Sequence, residues 1–231
     1  MLIHANWVEA QTNSVLQGSS EVAYAVRALN NASLHLHPDH NKNWDNLLAI
    51  SHTLVWADEH DAVLDAGAGD ESAYLPGLRD LGYDNLIGCN LDRHDDYKAG
   101  LKNGILYAYA DITATPYPRD CFAFVSCLSV IEHGVDWRAF LCEMRRILVP
   151  NGGLFVSFDY WPTKLQTTGR ITHGAPINIF SAIEVAALLD FAESVGLEIV
   201  GKAWDPKATD SVVSWAGLNY TFGNLLLRKV P

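Results

Sequence analysis

From Ala62 onward, short apolar runs alternate with helix-length amphipathic stretches, and nothing else in the 231-residue chain restricts its fold as much. Runs this short are strands, and their near-continuous apolar character means burial on both faces. A helix between successive strands then brings each one back parallel to the last. Strands are predicted at 62–66 (AVLDA), 86–91 (LIGCNL), 105–110 (ILYAYA), 122–129 (FAFVSCLS) and 153–158 (GLFVSF), with a weaker pair at 197–203 and 222–229. No helix-length pattern separates the last two, so the final strand is expected to return antiparallel to its neighbour. The pattern predicts an α/β chain with a seven-stranded, mostly parallel, doubly wound sheet.

The helices carry their own punctuation. Asp136 can cap a helix that places Phe140, Met144, Ile147 and Leu148 on one face, and PNGG at 150–153 is expected to stop it. Ser181 and Glu184 form a capping box before VAALLDFAESV, and Gly196 sits where a left-handed residue ends such a helix. Residues 1–60 differ in pattern: EVAYAVRALN (21–30) and WDNLLAISHTLVWA (44–57) are amphipathic and flank the polar loop HLHPDHNKN. This division predicts a helical N-terminal extension or cap over 1–60, packed on the sheet, and a ligand-binding domain over 61–231. His35, His37 and His40 read as part of a polar loop. No cysteine or second histidine pair completes a metal-ligand pattern beside them, and no metal is expected.

A net charge of −11 argues against a nucleic-acid partner, whose affinity comes largely from Lys and Arg. Cys89, Cys121, Cys127 and Cys142 form no C-x-x-C pair, and two lie in strand-like runs. They read as free thiols in a reducing compartment. No leader pattern opens the sequence and no apolar run reaches membrane-spanning length, so a cytoplasmic protein without a membrane partner is expected. Oligomeric state is not legible.

Functional residues in an open parallel sheet gather beyond the carboxyl ends of the strands. After the first strand comes VLDAGAGDES, residues 63–72, in which Gly67 and Gly69 let a ligand approach the backbone. The third glycine of a dinucleotide fingerprint is replaced by Ser72, and Asp70 with Glu71 would crowd a pyrophosphate with like charge. A cationic ligand such as S-adenosylmethionine suits this turn better. After the second strand stand Asn90 and Asp92, where a ribose acceptor is expected, and after the third Asp111–Ile112, an acceptor beside an apolar residue. The fourth ends in LSVIEHG and the fifth in FDYW.

Residues 62–158 resemble the core of a class I S-adenosylmethionine-dependent methyltransferase of the bacterial small-molecule or glycan type. The motifs VLDAGAG, GCNLD, ADITATPYP, SVIEHG and FLCEMRRILVPNGGLFVSF carry the resemblance. It implies that the cofactor is held by Asp65, Gly67, Gly69, Asn90, Asp92, Asp111, Ile112 and Ser129. Three positions depart from the family pattern: Glu71 stands at a frequent third glycine, Asn90 at the usual ribose-binding acid, and Ala123 at a common aspartate. Trp44 with Lys42 resembles an upstream element that helps close the pocket.

Methyl transfer asks the protein to align a nucleophile and to take its proton. His133, just before the Asp136 helix, is the candidate base, its pKa expected to be lowered by the helix N-terminus. The alternative is a histidine that only hydrogen-bonds to the turn. Asp159, Tyr160 and Trp161 are expected to face the same cavity and bind substrate, or else to pack under the loop that follows. In that loop, long enough for a lid, Lys164, Arg170 and His173 would meet an acidic substrate or be solvated. The implied reaction is methyl transfer to oxygen or nitrogen of a small-molecule or glycan-type acceptor. The competing readings are a nicotinamide-dependent oxidoreductase and a non-catalytic S-adenosylmethionine-binding module.

Overall fold

A computed structural model describes residues 5–69, 71–91 and 99–231. Three helices lead: α1 (Ala5–Gln11), α2 (Ser19–Asn31) and α3 (Asn43–Trp56), the last preceded by a single 3-10 turn at His40–Lys42. Then follow β1 (Val63–Ala66), α4 (Tyr74–Asp80), β2 (Leu86–Asn90), β3 (Gly100–Lys102), β4 (Ile105–Tyr109) and β5 (Phe122–Leu128). The chain continues through α5 (Trp137–Ile147), β6 (Leu148–Tyr160), the short β7 (Ile171–Thr172) and β8 (Ala175–Pro176), and α6 (Ala182–Ser194). It closes with β9 (Leu197–Ile199), β10 (Val213–Trp215) and β11 (Leu218–Lys229).

Among the described residues the main sheet has nine strands, in the order β10-β11-β6-β5-β1-β2-β4-β3, with β9 also paired to β11. The central five, β6, β5, β1, β2 and β4, are parallel to one another. β11 enters between β6 and β9 and is antiparallel to both, as the missing helix pattern implied. All seven predicted strands are present; β3, β7, β8 and β10 were not predicted, each being only two or three residues long.

Alternation along the strands divides the core between the two sheet faces. Val63, Phe124, Phe155, Phe222 and Leu226 point to α2, α3 and α4, whereas Leu64, Val125, Leu154, Val156 and Phe158 point to α5 and α6. The N-terminal helices α2 and α3 thus supply much of one face of the core, together with α4. Residues 13–16 lie along β11, where Leu16 N donates to Phe222 O at 2.9 Å and Leu226 N donates to Asn13 Oδ1 at 2.7 Å.

Local signals were mostly obeyed. Asp136 accepts from Arg138 N and Ala139 N at the start of α5, the Ser181–Glu184 capping box opens α6, and Gly196 is left-handed at φ +84°. The PNGG expectation needs correction. α5 already ends at Ile147, and residues 150–153 belong to β6, where pairing with β5 jumps from Phe122↔Leu148 to Phe124↔Gly153. The extra residues are accommodated as a bulge with Asn151 at φ +65°, so this stretch bends a strand rather than stopping a helix.

Candidate functional site

The turn after β1 is built from two glycines with different duties. Gly67 has φ +101°, and a Cβ there would lie 2.4 Å from Val130 Cγ2, so both backbone and packing require glycine. A Cβ on Gly69 would meet nothing within 4 Å, leaving open space against the backbone of the turn. Beneath it Asp65, 3% exposed, accepts from Ser126 Oγ at 2.8 Å and from Ser72 Oγ at 2.9 Å. Burial pushes its carboxyl up to about 6 against those two hydrogen bonds. Ser72 thus has a hydrogen-bonding role at the position of the missing third glycine. The role of Ser126, on a different strand, has no local sequence signal.

The neighbouring strand ends complete a ring around the turn. Asn90, closing β2, donates from Nδ2 to Ala68 O at 3.1 Å and ties that strand to the glycine turn. Asp92 and Asp70 lie outside the described residues. Asp111 is exposed beyond β4 and accepts through Oδ1 from Thr113 N at 2.8 Å, while Ile112 beside it is 5% exposed. Ser129, after β5, is left-handed at φ +54°. Its N donates to Ser157 O at 3.1 Å, and its Oγ accepts from Lys42 Nζ. An approachable backbone at Gly69 and a carboxylate next to a buried apolar side chain fit a nucleoside cofactor of the kind the resemblance implies.

Beside this ring lies a buried polar cluster that sequence reading saw only in part. β6 alternates, so Ser157 and Asp159 face α3 while Phe158 and Tyr160 face the other core. The expectation that Asp159 and Tyr160 share one cavity is therefore corrected. Tyr160 is fully buried, stands edge-on to Trp204, and donates to Pro206 O at 2.7 Å. Asp159 is 5% exposed and accepts from the Tyr220 hydroxyl; its backbone N donates to Glu132 Oε1 at 3.3 Å. Asp45 of α3 accepts from Ser157 Oγ at 2.6 Å. Burial raises all three carboxyls, Glu132 to about 8 and Asp159 to about 6, and Lys42 opposes the shift in each. Asp45 and Tyr220 went unread because they come from elements far from the glycine turn in sequence.

His133 lies against the same cluster, its ring edge-on to His173 with centroids 5.2 Å apart. Its pKa is lowered to about 4, the direction expected, but the causes are burial, His173 and Lys42 rather than the helix start. Asp136 already occupies the α5 N-terminus. Trp161 is half-buried and its backbone N donates to Phe180 O at 3.0 Å.

The loop after β6 carries the β7–β8 hairpin, turning at His173 and Gly174, both with positive φ. This placement brings His173 to His133. The other two basic residues of the loop are engaged with protein: Lys164 pairs with Glu184 at 2.8 Å, and Arg170 donates to Ala216 O. In the N-terminal loop, His35 pairs with Asp80 at 2.7 Å and His37 Nδ1 accepts from Asp39 N at 3.0 Å. Among the described residues no three His, Cys, Asp or Glu side chains are arranged to hold a metal, and no helix is long and apolar enough to cross a membrane.

Residues 64–156 match the family model described as a methyltransferase domain. Solved structures give the same picture at the level of fold. A putative sarcosine dimethylglycine methyltransferase from Galdieria sulphuraria aligns with TM-score 0.59 and 15% identity, covering 95% of this chain and 93% of its own. A geranyl diphosphate C-methyltransferase from Streptomyces coelicolor A3(2), solved with Mg2+, geranyl diphosphate and S-adenosyl-L-homocysteine, aligns with TM-score 0.58 and 14% identity over 92% and 97%. A putative methyltransferase from Haloferax volcanii, solved in complex with the activator Trm112, aligns with TM-score 0.57 and 20% identity over 90% and 94%. No curated protein matches this chain in sequence.

Proposed function

From the premise that this chain has the class I S-adenosylmethionine-dependent methyltransferase fold, with a methyltransferase domain at residues 64–156, we propose that it methylates oxygen or nitrogen of a small-molecule or glycan-type acceptor. The observation that carries this reading is the glycine turn. Gly67 is locked against Val130 while Gly69 borders open space, and Asn90 at the end of β2 is tied to the turn through Ala68 O.

Gly67, Gly69, Asn90, Asp111, Ile112 and Ser129 are the described residues that would hold S-adenosylmethionine, with Asp65 supporting the turn from below. When bound, the cofactor supplies a methyl group already activated by its sulfonium. The protein then has to align the acceptor, keep water out and take a proton. Asp159, Trp161 and His173 are proposed to line the acceptor side. His133 is the proposed base: with its pKa near 4 it stays neutral at ordinary pH and can accept. A base this weak suffices where the acceptor becomes strongly acidic only as its new bond to carbon forms.

Calorimetry tests the reading. S-adenosylhomocysteine should bind and NADH should not; the reverse result would overturn it in favour of a nicotinamide-dependent oxidoreductase. A methyl-transfer assay with labelled cofactor over amine, alcohol and sugar acceptors then separates an enzyme from a binding module.

A further inference from the structure

Four segments bring three carboxylates and one ammonium within electrostatic reach of one another. Asp45 comes from α3, Glu132 from the loop after β5, Asp159 from the end of β6, and Lys42 from the turn before α3. Asp45 and Glu132 are each 1% exposed and Asp159 is 5% exposed. Lys42 acts electrostatically on all three and on His133. Its Nζ is itself tied to Ser129 Oγ and lies 3.9 Å over the Phe222 ring. Asp39 adds negative charge near Asp159, and His37 faces Asp45.

Donors within the cluster do not match its acceptors. Ser157 serves Asp45 Oδ2, the Asp159 backbone serves Glu132 Oε1, and Tyr220 serves Asp159. Asp45 Oδ1 and Glu132 Oε2 are buried with no hydrogen-bond partner among the described residues, and so is His133 Nδ1. Each such atom is left without the hydrogen bond it would have in water, at a greater cost if charged. A ligand group that removes both deficits must bring N–H donors and positive charge together. An alcohol would bring only the donors, and a carboxylate or phosphate would add to the repulsion.

Building on the methyltransferase reading and narrowing its acceptor, we propose that this enzyme acts on an acceptor carrying an ammonium group that is held for recognition by the unpartnered oxygens of Glu132 and Asp45, while the methyl goes to a separate atom of the acceptor that keeps a lone pair. The carboxylates recognise the acceptor, with Glu132 releasing its proton to solvent as the ammonium binds; Tyr220 and Phe222 of β11 stand against Asp159 and Lys42, and an acidic acceptor would add acceptors where donors are lacking.

The test uses the full chain, alone and saturated with S-adenosylhomocysteine. Calorimetry compares ethanolamine and 1,4-diaminobutane with ethylene glycol, 1,4-butanediol and succinate. The amines should bind at least about tenfold more tightly than the matched alcohols, as expected for charge-assisted pairing, and succinate should not bind. Glu132→Gln and Asp45→Asn should each erase that preference while leaving S-adenosylhomocysteine affinity within about twofold, since neither touches the glycine turn. Thermal melting of both variants checks that they fold, and either one alone is sufficient for the test.

Equal binding of amines and alcohols, no amine binding, or a preference that survives both substitutions would overturn the proposal. So would loss of S-adenosylhomocysteine binding in Glu132→Gln, which would place that carboxylate on the cofactor. If S-adenosylhomocysteine fails to bind the wild type, the methyltransferase reading fails instead, and amine preference is then read on the protein alone.

Discussion

A Cβ at position 67 has nowhere to go. With φ at +101° and Val130 Cγ2 at 2.4 Å, Gly67→Ala combines backbone strain with overpacking. A loss of about 1–3 kcal/mol is expected, with S-adenosylhomocysteine affinity falling because the turn itself must move. Adding Val130→Ala should restore part of the stability, by relieving the clash but not the φ; melting curves and calorimetry on the single and double variants check both parts. His133→Gln makes a different prediction. Turnover should fall by about 10²-fold with S-adenosylhomocysteine binding nearly unchanged. Because burial keeps His133 neutral down to a pKa of about 4, its titration should not produce an acid limb of kcat/KM between pH 6 and 7. A limb there that disappears in the variant would mean that His133 titrates above the value its burial implies, whereas unchanged turnover in the variant would contradict the role. At this scale the sequence was informative where one residue type answers one local demand, as at Gly67. It was silent on Asp45, Ser126 and Tyr220, because ordinary strand and helix positions become functional only through what other segments bring beside them.

Elements were legible in proportion to how local their causes are. The α6 capping box needs only residues 181–184, so reading it required no tertiary knowledge. Ser181 Oγ accepts from Glu184 N at 3.4 Å, and Glu184 reaches back to Ser181 N at 2.8 Å and to Lys164 at 2.8 Å. Ser181→Ala should therefore cost about 1 kcal/mol, lowering the melting temperature by roughly 2–4 °C in a chain of this size. Lys164→Ala should add only a small further loss, its pair being partly solvated; differential scanning calorimetry resolves the two. PNGG shows the opposite case. Its composition signals a stop, but whether the stop falls in a helix or bends a strand is set by pairing with β5. The β7–β8 hairpin was hidden for a related reason: strands of two residues carry no periodicity to read.

For the whole molecule, the mostly parallel sheet and the antiparallel last strand followed from the spacing of helices, whereas the cost of burying charge followed from nothing in the spacing. That cost makes stability depend on pH. Asp65 and Asp159 titrate near 6 and Glu132 near 8 in the folded chain, all raised by burial. Groups raised in this way stabilise fully below their unfolded pKa, and that contribution is lost as pH climbs through the folded value. His52 and His133, lowered to about 4, act in reverse: their contribution is present above the unfolded histidine value and lost as pH falls. Between roughly pH 4 and 6.5 the two sets oppose each other and partly cancel. From pH 6.5 to 8 Glu132 still exchanges its proton, and Asp45, also raised by burial, acts in the same direction, so the fold should lose stability with rising pH. One proton changes stability by at most about 1.4 kcal/mol per pH unit, which over this window limits the share of Glu132 to about 2 kcal/mol, or roughly 4–8 °C. Melting curves of the ligand-free protein across this window should show the decline, and Glu132→Gln, which cannot ionise, should flatten it. An equal slope in the variant would mean that Glu132 is already ionised at neutral pH and that its charge is balanced within the cluster.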